Sequence, residues 1–144
     1  MNDEKETPVP AKPVSPKDAI RLAMRTKRYD IPDSERREAG KSIAKKISGA
    51  PIDLLLRSQL ICVYLSTKHE IPSRYFCRLA WGAAKDLCIP MWDSGIKQYR
   101  LSLITPQTRF ITGKYGIREP AVRIDVPIWD VNAFILPGLA FDKH

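Results

Sequence analysis

The sequence has few of the residues that build metal sites and disulfide frameworks. Its 144 residues include only three cysteines and two histidines. Cys62, Cys77 and Cys88 show no C-x-x-C spacing, and they lie in apolar or helical segments, which is typical of buried, reduced thiols in a cytoplasmic protein. His69 and His144 offer no paired spacing, so the sequence predicts no metal ligands within this chain.

Long apolar runs and targeting segments are also missing. No stretch approaches the roughly 18 apolar residues that span a bilayer. Residues 1–14 carry acidic side chains and prolines without an apolar centre, which argues against a signal or transit peptide and predicts a disordered tail. Residues 15–144 suffice for a single domain with its own core. We therefore expect a cytoplasmic protein that does not bind membranes.

The usual catalytic signatures are absent as well. The sequence contains no Walker-type loop, no G-x-G-x-x-G segment and no spacing that reveals a Ser-His-Asp or Cys-His arrangement. No catalytic residue is identified from these patterns. The chemistry that the residues indicate depends instead on charged side chains and on where they stand relative to the predicted strands.

The apolar pattern predicts an α/β fold with three layers, in which helices flank a mostly parallel sheet. A pair of N-terminal helices comes first, one capped by Ser15 and one from Asp33 or Ser34 to Ser48. Ala39, Ile43 and Ile47 are expected on the buried face of the second helix. Strands are predicted at 60–65, 87–92, 99–104 and 133–136, a helix at 72–83, and little regular structure at 105–126.

The first predicted helix carries a basic face. The net charge is +8, and residues 17–46 hold ten Lys and Arg against five Asp and Glu. Lys17, Arg21, Arg25 and Arg28 recur at three- and four-residue steps and therefore share one face. Lys17 and Arg21 could grip two oxygens of one phosphate group. A solvated face without a ligand and a nucleic-acid surface remain alternatives, although only Tyr29 supplies an aromatic ring nearby.

Two further segments stand at strand ends or turns. Glu70 follows the strand predicted at 60–65, where α/β proteins place ligand contacts, and its carboxylate could accept hydrogen bonds from a pterin-like heterocycle. An exposed loop glutamate or a cap for the next helix are the alternatives. Residues 115–120 predict a structured turn, because Gly116 permits a positive φ and Pro120 keeps Glu119 extended.

Taken in order, these segments resemble the 5-formyltetrahydrofolate cyclo-ligase family, also called 5,10-methenyltetrahydrofolate synthetases. The resemblance covers roughly residues 16–144, and the order and spacing of its motifs are more specific than any one of them. The motifs are Lys17-x-x-x-Arg21 with Arg25, Arg28 and Ser42, Tyr64-Leu65-Ser66-x-x-x-Glu70-Ile71, Cys88-Ile89-Pro90, Gly116-Ile117-x-Glu119-Pro120 and Leu136-Pro137-Gly138-Leu139-Ala140-Phe141-Asp142.

The resemblance implies an enzyme of one-carbon folate metabolism that uses ATP and Mg²⁺. ATP would activate the formyl oxygen of 5-formyltetrahydrofolate, N10 would attack, and phosphate would leave with formation of 5,10-methenyltetrahydrofolate and ADP. Catalysis of such a reaction depends on positioning the substrates and neutralising their charge more than on a protein nucleophile. The resemblance also implies ATP contacts from Lys17 and Arg21 and folate contacts from Leu65 and Glu70, with Tyr115 lining the folate pocket.

The family pattern continues with a glycine-rich phosphate loop, whereas this sequence ends at Lys143-His144. We therefore expect residues 15–144 to be one cyclo-ligase-like domain that is incomplete at its C-terminus, a fragment of a longer enzyme, and inactive or nearly so by itself. A naturally truncated relative is the alternative. The expected partner is 5-formyltetrahydrofolate, with or without a polyglutamate tail, bound by a monomer without nucleic acid. A non-catalytic folate- or anion-binding relative of the same fold is the alternative function.

Overall fold

A computed structural model describes residues 15–113 and 116–141 of the chain. The tail predicted at 1–14 and the predicted site residue Tyr115 lie outside these ranges. No helix of the described ranges is long and apolar enough to cross a membrane. The described elements are α1 (Pro16–Asp30), α2 (Asp33–Ile47), α3 (Leu54–Arg57), β1 (Leu60–Val63), α4 (Arg74–Gly82), β2 (Asp86–Asp93), β3 (Gln98–Ile104), β4 (Phe110–Thr112), β5 (Arg118–Pro120), β6 (Asp125–Val126), a 3-10 helix (Ile128–Asp130) and β7 (Ala133–Ile135).

The main sheet has the strand order β6-β3-β2-β1-β7. β1 pairs in parallel with both β2 and β7, whereas β3 pairs antiparallel with both β2 and β6. The predicted α/β class is confirmed, but the sheet is mixed rather than mostly parallel. The physical reason is the short connection between β2 and β3, which returns the chain as a hairpin and leaves no room for a crossover helix.

The two-residue period of the strands divides the core between the two faces of the sheet. Ile61 and Val63 of β1 point to the face that α4 covers, together with Phe76 and Ala80 of that helix. Cys62 points the other way, into a smaller cluster of buried residues that also contains Cys88 and Leu101. All three cysteines are free and buried, as the sequence analysis predicts.

Local signals at the start of the chain fix α1 as predicted. Ser15 is its N-cap, and the Ser15 hydroxyl oxygen accepts a hydrogen bond from the backbone N–H of Asp18. Pro16 occupies the first helical position, where its missing N–H costs nothing. α1 contains no buried residue, so its position depends on contacts with loops rather than on the core.

The buried face of α2 agrees with the prediction only in part, because Ile47 packs against the core as predicted but Ile43 does not. Gly40 and Ala44 are buried, whereas Ile43 is 44% exposed. A Cβ atom added at Gly40 would lie 3.0 Å from the Pro72 carbonyl oxygen and 3.0 Å from the Tyr75 ring. The helix therefore approaches α4 through its residue without a side chain, and this rotates the larger Ile43 towards solvent. A hydrophobicity pattern cannot reveal such a contact, because glycine carries no apolar signal.

The region 105–126 contains more structure than the sequence predicts. β4 and β5 form a separate two-stranded antiparallel sheet, and β6 adds the edge of the main sheet. Each of these strands has three residues or fewer, which is too short for an alternation of polar and apolar residues to be recognised in the sequence. Gly116 has a φ of +72°, as expected for the turn that precedes β5, and Glu119 is extended within β5.

Substituting Gly40 by alanine should destabilise the fold by about 1–3 kcal/mol, because the added methyl group meets backbone that cannot move without separating α2 from α4. Gly82→Ala is the matched control, since a Cβ there meets nothing within 4 Å. That change should raise stability by roughly 0.5 kcal/mol. Urea unfolding of both variants measures the difference, and a Gly40→Ala protein as stable as the control would contradict this account of the packing.

Candidate functional site

The basic face of α1 opposes the segment that follows β7 across an open cleft of about 680 Å³. We call it the basic cleft. Because Lys17, Arg21, Arg25 and Arg28 recur with the helical period, α1 presents all of them to this space. The remaining lining residues are Ile20, Glu70 and Pro137, Gly138, Leu139, Ala140 and Phe141. The structure thus brings together Lys17, Arg21 and Glu70, which the sequence analysis selects separately.

The cations of the basic cleft are only partly neutralised. Arg21 contacts the Asp18 carboxylate at 3.1 Å, but the pair is exposed and screened by water, so it contributes little to stability. The Ser15 hydroxyl, followed by Arg21, lowers the pKa of Asp18 below its usual value. Within the described ranges, neither Lys17 nor Arg25 has a carboxylate oxygen within 4.0 Å. The cleft therefore carries excess positive charge that an anion can neutralise.

Glu70 lies between α1 and the loop that follows β1. Its Oε2 accepts hydrogen bonds from the Thr67 backbone N–H at 2.8 Å and from the Thr67 hydroxyl at 3.0 Å. Its Oε1 lies 3.8 Å from Nη1 of Arg28, with the Glu70 side chain 17% exposed. Glu70 is thus neither a free surface residue nor the cap of α4, whose N-cap is Ser73. It fixes the loop and keeps one oxygen turned towards a cationic neighbour.

Two aromatic residues support the same loop. Tyr64 donates a hydrogen bond from its hydroxyl to the Ile71 carbonyl oxygen at 2.6 Å, and burial, followed by the nearby Glu70 charge, raises the pKa of Tyr64 to about 12. His69 meets Tyr29 of α1 edge to face, with ring centroids 4.3 Å apart. α1 is therefore attached to the loop through an ion pair and an aromatic contact.

A second cleft, of about 450 Å³, is lined by several residues of the loop that follows β1. Leu65 lines it and also packs against the core, and Glu70 lines both this cleft and the basic cleft. Leu65 is therefore apart from Lys17 and Arg21, and Glu70 is the residue that the two clefts share. The two residues that the resemblance assigns to ATP line the basic cleft, whereas of the two described residues that it assigns to folate, one lines the second cleft alone and the other lines both.

The sequence analysis does not select several residues of the second cleft. Trp81 comes from the end of α4, Phe110 from β4 and Arg118 from β5. Arg118 stands at the position x of the Gly116-Ile117-x-Glu119-Pro120 motif. The sequence analysis therefore selects this segment but gives no role to the Arg118 side chain. No local signal marks Trp81 or Phe110, because only the fold brings them together.

Metal ligands do not cluster within the described ranges. No group of three or more His, Cys, Asp or Glu side chains there is placed to hold a metal ion. The acidic side chains of the clefts already have partners, since Asp33 contacts Arg36 and Arg37 while Glu70 contacts Thr67 and Arg28.

Comparison with known proteins gives a family and a fold. The model of the 5-formyltetrahydrofolate cyclo-ligase family matches residues 13–144. The NMR structure of Aquifex aeolicus 5,10-methenyltetrahydrofolate synthetase is similar over 88% of this chain, with a TM-score of 0.74 and 24% sequence identity. The chain spans 62% of the length of that protein, and at this identity the likeness establishes the fold alone. None of the curated protein sequences matches the chain.

His69 should make folding stability depend on pH. Burial, followed by the charges of Lys68, Arg36 and Arg28, lowers the pKa of His69 below its usual value. The folded chain therefore favours neutral His69, and this stabilisation is complete above about pH 6.5 and declines as the pH falls through the lowered pKa. Between about pH 7.5 and about pH 5.5, His69→Gln should lose less stability than the native chain in urea unfolding. Equal losses would contradict the assignment.

Proposed function

The chain belongs to the 5-formyltetrahydrofolate cyclo-ligase family, and on that premise we propose that it serves the ATP-dependent conversion of 5-formyltetrahydrofolate into 5,10-methenyltetrahydrofolate, ADP and phosphate. The observation that carries this proposal is the pair of clefts that meet at Glu70. One is lined by four cations and suits phosphate groups. The other combines apolar and aromatic side chains, which suit a ring system, with polar ones that include Lys68, Arg74 and Arg118.

The two clefts match the physical demands of this reaction. A phosphoryl group must pass from ATP to the formyl oxygen, so the two substrates must be held end to end with the developing charge neutralised. Lys17 and Arg21 would hold phosphate oxygens in the basic cleft, with Arg25 and Arg28 adding positive charge along the same face. Leu65 would contact the folate on the other side of Glu70. None of these roles requires a protein nucleophile.

Mg²⁺, which the family uses with ATP, has no ligand set among the described residues. The described carboxylates of the clefts are already engaged with arginine or threonine side chains. We therefore assign no step of the reaction to a metal ion held by these residues.

Lys17→Ala and Arg21→Ala should each weaken ATP binding by about tenfold or more, because each change removes a charge-assisted phosphate contact. Both should change the affinity for 5-formyltetrahydrofolate much less. Lys45→Ala is the matched control, since Lys45 is exposed near the end of α2 and does not line the basic cleft. Isothermal titration with each ligand makes the comparison, and equal weakening of both ligands would contradict the assignment.

Glu70→Gln should have the opposite preference and weaken 5-formyltetrahydrofolate binding more than ATP binding. Glutamine keeps an acceptor oxygen for Thr67 but loses the negative charge that a pterin amino group would meet. Glu38→Gln is the control, because Glu38 is exposed and pairs only with Lys41 among the described residues. A Glu70→Gln chain that binds folate normally would remove Glu70 from the folate site.

A non-catalytic folate- or anion-binding role is the second candidate, favoured by the four cations that line the basic cleft, which would hold an anion without any further chemistry. Incubating the chain with ATP, Mg²⁺ and 5-formyltetrahydrofolate separates the two functions. Formation of ADP together with 5,10-methenyltetrahydrofolate supports the ligase, whereas binding of both ligands without turnover supports the binding role.

A further inference from the structure

Two of the three cysteines are neighbours on adjacent strands of the main sheet. Cys62 of β1 lies directly opposite Cys88 of β2 in the parallel register. Residues paired in this way point to the same face of the sheet, and both side chains belong to one buried cluster with Leu101. Adjacent strands are about 4.8 Å apart, which is within the Cα separations of about 4.4–6.8 Å found across disulfide bonds. The two thiols can therefore be joined without a change of register.

The two thiols also interact with each other. A hydrogen bond with the Cys88 thiol lowers the pKa of Cys62, although burial acts in the opposite direction. The same hydrogen bond, followed by burial, raises the pKa of Cys88. Cys62 is thus the thiol of the pair that loses its proton more readily, and the thiolate is the form of cysteine that attacks an oxidant.

A cavity of about 610 Å³ leads to this pair of thiols. Cys62 and Leu101 line it, whereas Cys88 does not. Its outer walls include Trp129 and Leu136, which are 83% and 62% exposed, so the cavity is open to solvent. A reagent that enters it meets Cys62 before Cys88, and the reagent must be small because Cys62 itself is only 1% exposed.

Cys77 has no thiol neighbour of this kind. It lies on α4 and packs with Ile61 and Val63 on the opposite face of the sheet from Cys62. Burial raises the pKa of Cys77 to about 11, so its thiolate is scarce at neutral pH. Cys77 is therefore an internal control for any chemistry of the other two cysteines.

We propose that Cys62 and Cys88 form a modification site, at which hydrogen peroxide converts the two thiols into an intrachain disulfide bond. The Cys62 thiolate attacks one peroxide oxygen, the O–O bond breaks, and Cys62 becomes a sulfenic acid while the other oxygen leaves as hydroxide and takes up a proton to form water. The Cys88 sulfur then attacks the Cys62 sulfur, and the sulfenic hydroxyl leaves with the Cys88 proton as a second water. The two thiols lose two electrons, which the peroxide gains.

The disulfide closes residues 62–88 into a covalent loop that contains Leu65, Glu70 and α4. Such a bond holds β1 against β2 and restricts the unfolded chain. A dithiol reductant reverses it by thiol–disulfide exchange. This inference does not depend on the proposed function, because it rests on contacts within the sheet and not on the ligands of the two clefts.

Peptide mapping of the full native chain tests the site directly, because trypsin separates the three cysteines. Cleavage after Lys and Arg leaves Cys62 in residues 58–68, Cys77 in 75–78 and Cys88 in 86–97. After treatment with millimolar hydrogen peroxide and alkylation of the remaining thiols, mass spectrometry should show 58–68 joined to 86–97, with Cys77 alkylated. Dithiothreitol should separate the joined peptides. Three alkylated cysteines, or a disulfide that includes Cys77, would overturn the proposal.

Three variants test the order of attack. Cys88→Ala should stop at the sulfenic acid of Cys62, which dimedone traps on the peptide 58–68. Cys62→Ala should react with dimedone at Cys88 at least about tenfold more slowly, because the thiol next to the cavity is missing. Cys77→Ala is the matched control and should form the disulfide as the native chain does. Equal dimedone labelling of Cys62→Ala and Cys88→Ala would contradict the assigned order. The mapping of the native chain decides the proposal even where a core variant does not fold.

Discussion

The parallel pairing of β1 with β7 is the constraint on which both clefts depend. Cys62 lies opposite Phe134 and Val63 opposite Ile135, so the two strands end side by side. Asn132 connects the starts of the two strands, since its Oδ1 accepts hydrogen bonds from the backbone N–H groups of Gln59 and Leu60, each at 2.9 Å. Because the carboxyl ends of parallel strands lie at the same edge of a sheet, the loop that contains Glu70 and the segment 137–141 both line the basic cleft. A shift of register would separate them.

α1 is positioned by this edge and not by the hydrophobic core. It contributes no buried residue, and it meets the β1 loop through the Arg28–Glu70 pair and the Tyr29–His69 contact. These contacts are few, and neither of them buries a residue of α1 in the core. An anion bound between α1 and the segment 137–141 would add further contacts. Binding of the anion would therefore also stabilise α1 in its position.

The structural features that depend on interactions between neighbouring residues could be predicted from the sequence. Ser15 caps α1 as predicted, and the spacing of Lys17 and Arg21 places both in one cleft because the helical period is fixed. Contacts between distant segments are a different matter. Phe110 and Arg118 reach the cleft that α4 also lines only through the placement of the β4–β5 ribbon, and Gly40 packs against α4 because it lacks a side chain. Neither of these two contacts between distant segments produces a periodic pattern of residues in the sequence.

The chemical contrast between the clefts bears on which function the fold serves. A protein that only binds anions needs the cations of α1, and it has no need of the aromatic side chains of the second cleft. Its aromatic side chains suit a ligand with a ring, which phosphate alone does not offer. Two different ligands bound in these clefts, as proposed above, would have their ends close together at the shared residue Glu70. Such an arrangement favours group transfer between them over the capture of either one.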